Sequence, residues 1–458
     1  MEFIDIIIDF LPMFMFLSLA LLLFTGYPVA FILGGLALLY GFIGYGLGMF
    51  SIVEFFNFLP RIWGQAAENL VLVAVPTFVF MGVMMERSGV ANDMLYVCQV
   101  LLKKVPGGLA MAVAVMGTIL AAMTGIIGAS VTMMTALALP TMLKQKYSHE
   151  LATGVICASG TLGILIPPSI MLIIMADLLS ISVGDLFLAA LMPGLLLAFS
   201  YVFYIGMAST VRPTIAPPLP PEELNVPRAE MPALLIRSFF PPVFLIALIK
   251  GSILLGWATP SEAGAVGAFG ATIIAIANGR LKRDMVTGVC QSSGLTVSFI
   301  FFIIMSATCF AYVFRSLGGD DVIEELILGA GLDSWGLLFL IMGIVFVLGF
   351  FLDWVEITLI ILPVFAPIVA TLNFGDHVPL ENRAMIYWFT VLIAVNLQTS
   401  FLTPPFGYAL FYLKGIAPRE VNLMSIYRGI IPFVLLQLIA LGLVITLPSI
   451  ALWLPGLH

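Results

Sequence analysis

Thr124-Gly-Ile-Ile-Gly-Ala-Ser130-Val-Thr132 and Gly349-Phe-Phe-Leu-Asp353-Trp-Val-Glu356 are the two stretches on which the fold turns. Each lies midway along an apolar run, residues 105–143 and 332–370. A spanning helix needs only about 20 apolar residues, so each run is roughly twice too long for one straight crossing. Glycines and oxygen-bearing side chains sit where each run is deepest. Backbone leaves the helix inside a bilayer only where it lines a cavity or is buried in protein. Paired interruptions at corresponding places in two halves are the sequence sign of a secondary transporter's substrate and ion site.

Composition sets the class. The chain is 62% hydrophobic and 9% charged, a balance that belongs to a polytopic helical membrane protein. The apolar runs are continuous, without the period-2 alternation of an outer-membrane barrel. The net charge of −7 is spread over short loops and names no partner. Cys98, Cys157, Cys290 and Cys309 show no paired spacing and read as small core residues. Residues 11–24 lack the basic flank and cleavage site of a signal peptide and read as part of a first membrane helix.

The Pro-rich stretch 211–232 separates two halves that pass through the same events. In the first, a segment turning near Pro76 precedes the broken run, followed by Ser159-Gly160-Thr161-Leu-Gly-Ile-Leu-Ile-Pro167-Pro168-Ser169. In the second, a segment containing Met305-Ser-Ala-Thr308 precedes the broken run, followed by Asn396-Leu-Gln398-Thr399-Ser400-Phe-Leu-Thr403-Pro404-Pro405-Phe-Gly407. A Pro-Pro pair must break a helix, so its recurrence after a polar cluster is a strong internal repeat. The expected fold is all-α and polytopic, with two inverted repeats, each holding a re-entrant hairpin and discontinuous helices. The hairpins are expected at 66–98 and 290–317, which exceed one crossing; kinked ordinary spans are the competing reading. The expected division is scaffold helices in 1–65, a first transport repeat in 66–185, scaffold and linker in 186–278, a second transport repeat in 279–420, and a terminal helix in 421–458. The Lys and Arg distribution selects no single orientation.

Asp353 and Glu356 are carboxylates at membrane depth, where a charge costs ~2.5–3.5 kcal/mol on insertion scales. They read as part of a cation site; alternatively, an early helix break would leave Asp353 as an N-cap in a wet vestibule. Gly128, Ser130, Thr132, Thr399 and Ser400 complete the expected cation set, because hard cations prefer oxygen ligands and carbonyls freed by unwinding. Ser159, Gly160, Thr161, Pro167, Pro168, Gln398, Thr403, Pro404 and Pro405 form the expected substrate set. Any single Ser or Thr is more often glue between helices; clustering at breaks favours a site. Asp177, Asp185, Lys250, Glu262, Arg315 and Lys414 lie near segment ends, where snorkelling explains them. With no arginine at a break, an anionic substrate would rest on helix N-termini, hydroxyls and a neighbouring cation. Trp354 and Phe401 are the aromatic residues expected at a pocket.

No Gly-x-x-x-x-Gly-Lys-[Ser/Thr] sequence occurs, so the chain does not hydrolyse ATP by a P-loop. An intramembrane enzyme is the reading from another class, but His149, His377 and His458 lie in loops or at the terminus, out of reach of the midplane. A channel fits paired broken halves less well than alternating access does.

Residues 124–132 and 151–170, Gly256-Trp-Ala-Thr-Pro-Ser-Glu262-Ala-Gly-Ala, and Leu402-Thr-Pro-Pro-Phe-Gly407 together resemble, in the same order, the large membrane subunit of tripartite ATP-independent periplasmic (TRAP) transporters. Residues 396–413 are most similar to the branch for 2-oxo acids, lactate, mannitol and chloroaromatic compounds. The resemblance implies a multi-pass protein of the bacterial inner membrane that co-transports sodium by an elevator motion and uses no nucleotide. It implies two partners, a small four-helix membrane subunit and a periplasmic substrate-binding protein. With no length for a fused small subunit, that partner is expected as a separate chain. The chain departs from the common family pattern at 128–132, where Gly-Ala-Ser-Val-Thr replaces a Gly-Ser-rich stretch ending in Ala-Asp. The expected substrate is a small 2-oxo or 2-hydroxy monocarboxylate, with an aromatic acid as the alternative.

Overall fold

The computed structural model describes residues 8, 10–218, 232, 235–329, 331–369, 372–379, 381–404 and 407–456. The described chain is helical throughout, and six of its helices are long and apolar enough to cross a membrane. The principal helices of the first half, whether long enough to cross or shorter, are α1 (Leu11–Leu23), α2 (Val29–Gly46), α3 (Ala74–Arg87), α4 (Val90–Leu102), α5 (Gly108–Thr124), α6 (Ile127–Lys144), α7 (His149–Thr161), α8 (Ile170–Leu178) and α9 (Val183–Val211). The second half continues with α10 (Phe240–Leu254), α11 (Pro260–Ala277), α12 (Arg283–Ser316), α13 (Gly319–Gly329), α14 (Ser334–Leu348), α15 (Trp354–Val369), α16 (Ala384–Ser400), α17 (Tyr408–Ile416) and α18 (Leu423–Thr446).

Local sequence explains the boundaries. In Gly256-Trp-Ala-Thr-Pro-Ser-Glu, Gly256 takes the left-handed conformation that ends the preceding turn (φ +70°). Thr259 then caps α11, Pro260 opens it, and Glu262 accepts the Thr259 N–H at 2.7 Å, closing a capping box. This family-like motif is therefore a helix start. Ala263, Gly264, Gly267, Ala271 and Ala275 form the buried stripe of α11. Thr77 and Met81 of α3 lie so close to Gly264 and Gly267 that a Cβ at either glycine would overlap them, the close approach that small residues permit between membrane helices.

α7 and α16 form the core. Every residue of α16 is buried, as is α7 from Leu151 onward, the pattern of helices enclosed on all sides. Their polar residues are therefore enclosed as well.

The hairpins lie elsewhere than expected. α5 and α6 fold back on each other about Gly125-Ile126, with Gly117 packed against Met134, each equally far from the turn. α14 and α15 do the same: Asn373 N–H donates to Ser334 Oγ at 3.2 Å, tying the two ends of that pair together. Both long runs are thus hairpins with their turns at the interruptions. The stretch 66–98 does make a helix-turn-helix, but its turn is at Ser88-Gly89 (Gly89 φ +81°). Pro76 sits in the first turn of α3, where the missing N–H has no intrahelical partner to lose. The stretch 290–317 lies within the unbroken 34-residue α12 and its C-cap, Leu317. Its Thr308 hydroxyl donates back to Ile304 O at 2.8 Å, so the hydroxyl cluster marks helix packing and not a break.

Residues 11–24 do form a membrane-type helix, α1. The linker's first residues are docked: Gly107 N–H and Ser148 N–H donate to Ala216 O and Ile215 O. Cys98, Cys157 and Cys309 are buried and Cys290 is exposed, all four as free thiols.

Candidate functional site

Four interruptions meet in the core. Gly125 (φ +61°) and extended Ile126 separate α5 from α6. Residues 165–169, containing the cis Pro167-Pro168 bond, separate the end of α7 and its 3-10 extension from α8. Residues 349–353 separate α14 from α15, and a turn beginning at Phe401 separates α16 from α17. The first two touch, since a Cβ on Gly125 would lie 3.3 Å from Ile170 at the start of α8. The second two touch, since a Cβ on Gly349 would overlap Ser400 Oγ. The halves meet across α17: Tyr412 covers Gly128 in the first turn of α6, and Cys157 Sγ of α7 lies 3.9 Å from Ala409 O. The Tyr408 and Tyr412 hydroxyls, 3.0 Å apart, both lie within the electrostatic reach of Asp353 and Glu356.

The expected cation residues divide by role. Asp353 stands immediately before α15, and its Oδ1 accepts the Trp354 N–H at 2.7 Å. Glu356 Oε2 accepts the Asp353 N–H at 3.0 Å. The remaining oxygen of each carboxylate carries no hydrogen bond among the described residues. The single ion pair among those residues is Arg315–Asp320, so neither acid has a basic counter-charge. Two acids one turn apart, with Glu356 7% exposed, are costly to keep charged without either a neighbouring positive charge or a proton. Ser130 and Thr132 lie beyond the break, in the first turns of α6, so their backbone is helical and not freed for ligation. The Ser130 and Thr132 side chains and the Gly128 backbone remain near the turn.

The hydroxyls show a common pattern. Ser159 donates to Val155 O (2.6 Å), Thr161 to Ala158 O (3.0 Å), Thr399 to Val395 O (2.9 Å), Ser400 to Leu397 O (2.8 Å) and Thr403 to Thr399 O (2.8 Å). A hydroxyl has one proton and two lone pairs. With the proton committed to its own helix, each offers lone pairs, which suit a cation better than a carboxylate. Gln398 is the exception: it is fully buried, and neither Oε1 nor Nε2 has a partner. An unmet buried polar group costs about 1–3 kcal/mol, so this amide is a donor and acceptor awaiting a ligand or water. Gly160 is a packing residue, held against Val131 and Met134 of α6. Pro167 lies at the second break beside Lys250. Lys250 belongs to α10, and its sharing of a small pocket with Pro167 is a proximity that spacing along the chain does not show. Pro404 ends the described turn after α16; Pro405 lies outside the described residues.

Trp354 and Phe401 are both fully enclosed and pack the breaks. Sequence reasoning names Tyr408 beside the second break as a contact for an aromatic acid and does not name Tyr412. Their i, i+4 spacing just after the second Pro-Pro pair was the available signal.

Paired hairpins, paired interrupted helices and polar groups enclosed at their meeting point define a helical membrane transport protein. The chain belongs to the family whose model is described as the tripartite ATP-independent periplasmic transporter, DctM component, which matches residues 16–450. It is 29% identical over 396 residues to the C4-dicarboxylate TRAP transporter large permease of Pseudomonas aeruginosa, covering 86% of this chain and 88% of that protein. It is 26% identical over 444 residues to the 2,3-diketo-L-gulonate TRAP transporter large permease of Escherichia coli (94% and 98% covered). Its fold is similar to that of the Alcanivorax borkumensis YdaH transporter, with a TM-score of 0.59, 14% identity, and 88% and 89% of the two chains covered. The chain is thus a multi-pass large permease of the inner membrane and a transporter, not an enzyme. Permeases of this family work with a small membrane subunit and a periplasmic substrate-binding protein.

Proposed function

We propose that this permease couples the import of a small organic acid to sodium entry. The observation that carries the reading is the pair Asp353 and Glu356, one turn apart at a helix break, with Glu356 buried and neither acid ion-paired to a base among the described residues. A bound sodium would offset the two charges and would in turn help hold a substrate carboxylate. Gln398 Nε2 and the N-terminus of α8 would supply further donors for that carboxylate. The two hairpins and the interrupted helices, within 66–185 and 279–420, would move as one body against the other helices, in an elevator motion. The small subunit would be a separate chain.

Within organic acids, a 2-oxo or 2-hydroxy monocarboxylate is the substrate we favour. The residues 396–413 support this, as does a relative named for 2,3-diketo-L-gulonate, itself a 2-oxo monocarboxylate. Lys250 beside Pro167 and the relative named for C4-dicarboxylates support a dicarboxylate as the second reading.

Sodium binding has a direct test. A ligand that binds only the native state raises its stability by RT ln(1 + [L]/Kd). Melting of the purified permease complex in sodium chloride should exceed that in potassium chloride at equal ionic strength, and Asp353→Asn should remove the difference. Equal melting in the two salts for the wild type would count against the site. An uptake screen with the cognate binding protein assigns the substrate: preference for pyruvate or lactate supports the monocarboxylate reading, and preference for succinate or malate the dicarboxylate one.

A further inference from the structure

A cavity of about 490 Å3 opens at the C-terminal end of α8 and the middle of α15, away from the breaks. Arg61, Arg315 and Arg383 line it, against one carboxylate among the lining residues, Asp177. Asp177 is already engaged, accepting from Asn69 Nδ2 at 2.7 Å and Gln65 Nε2 at 3.2 Å. Arg315 is partly engaged, lying 3.6 Å from Asp320 and donating to Pro363 O. Arg61 faces the ring of Tyr312, 4.1 Å from its centroid, and Arg383 donates one N–H to Ser180 O at 2.7 Å. Each guanidinium has five N–H donors, so Arg61 and Arg383 keep most of theirs for the cavity. Even with Arg315 set aside, positive charge is in excess.

The position of this cavity gives it meaning. α8 and α15 pack against each other, and each begins at an interruption. Asp177 lies about 10 Å along α8 from Ile170, and Leu359 on the cavity wall about 9 Å along α15 from Asp353, at 1.5 Å per residue. The cavity therefore lies about two turns along both helices from the breaks that hold the candidate site.

We propose that this arginine-lined cavity is an anion-collecting vestibule that binds a carboxylate through Arg61 and Arg383 before or after its passage through the breaks. The inference rests on the reading of the chain as an organic-acid transporter and adds a second, weaker binding position. A cleft lined by one sign of charge raises the local concentration of the opposite ion, and the guanidinium fork matches carboxylate geometry.

The test needs neither a sodium gradient nor turnover, so it can fail independently of the coupled-uptake reading. In the permease complex, exposed Cys290 is replaced by Ser and Ala311, a half-buried residue of the cavity wall, by Cys. Labelling by an anionic methanethiosulfonate (sulfonatoethyl) is compared with labelling by a cationic one (trimethylammonioethyl), each normalised to its rate with a small free thiol. The anionic reagent should be favoured by roughly tenfold. Arg61→Gln and Arg383→Gln should each reduce that bias, while Arg61→Lys and Arg383→Lys preserve it, which separates charge from misfolding. Lactate should slow the labelling and neutral lactamide should not. Equal normalised rates for the two reagents, a bias unmoved by the Gln variants, or equal protection by lactate and lactamide would each overturn the proposal.

Discussion

Glu356 accepts the backbone N–H of Asp353 at 3.0 Å, reaching back across the first turn of α15. The same contact that starts the helix also holds two carboxylates side by side at the bottom of a hairpin. Helix capping and the proposed cation binding would thus draw on the same residues, and their contributions separate only where charge and hydrogen bonding are varied independently.

Asp353→Asn makes that separation, because Asn and Asp are nearly equal as N-caps. If Asp353 only starts α15, the amide variant should transport normally. We expect it to lose apparent sodium affinity first and maximal rate next. Asp185→Asn, in a surface turn of α9 whose N–H is held by Ser182, should behave as wild type at equal expression. Sodium-dependent uptake titrations of the three proteins check this.

Gln398→Leu removes the buried amide whose two polar atoms lack partners. The variant should be at least as stable as the wild type, because about 1–3 kcal/mol of unmet desolvation disappears with each unpaired group. Transport should nevertheless fall, with KM rising roughly 10- to 100-fold, as expected when a hydrogen bond to a charged ligand worth ~1.5–3 kcal/mol is lost. Melting curves and substrate titrations together check it; unchanged KM would return Gln398 to a packing role.

Gly349→Ala places a methyl group onto Ser400 Oγ. Overpacking of this kind costs ~1–3 kcal/mol, so the melting temperature should drop. Ser400→Gly in the same chain should recover part of the loss. A double-variant cycle that is simply additive would show that the third and fourth breaks do not touch in the membrane.

The permease alone should not accumulate substrate, given its membership of a family that works with a binding protein and a small subunit. Reconstitution of this chain with and without the two partners checks the expectation. Saturable uptake by the single purified chain at micromolar substrate would contradict it.

The fold class and the interruptions were legible because their signals are local. A Pro-Pro pair breaks a helix whatever surrounds it, and a run twice the bilayer thickness must turn. Direction after the turn was not local. Gly125 could end one helix or reverse the chain, and Gly117 meeting Met134 is a tertiary fact. The hairpins were accordingly sought one segment too early, at Pro76 and Met305–Thr308. Lys250 beside Pro167, and Arg61, Arg315 and Arg383 around one cavity, come from segments far apart in sequence. The oxygen donors on α7 and α16 were found because each precedes a break in its own helix. Tyr412 was not legible because Gly128, which it covers, meets α17 only in the folded protein.

Sodium coupling is the central claim, and gradient-driven uptake tests it most directly. The permease, its small subunit and the binding protein are reconstituted in proteoliposomes, and uptake of labelled lactate or pyruvate is followed under an inward sodium gradient. Replacing sodium by potassium, with the proton gradient and membrane potential held fixed, should abolish accumulation. Undiminished accumulation without sodium would contradict the account and leave Asp353 and Glu356 to a proton or to structure alone.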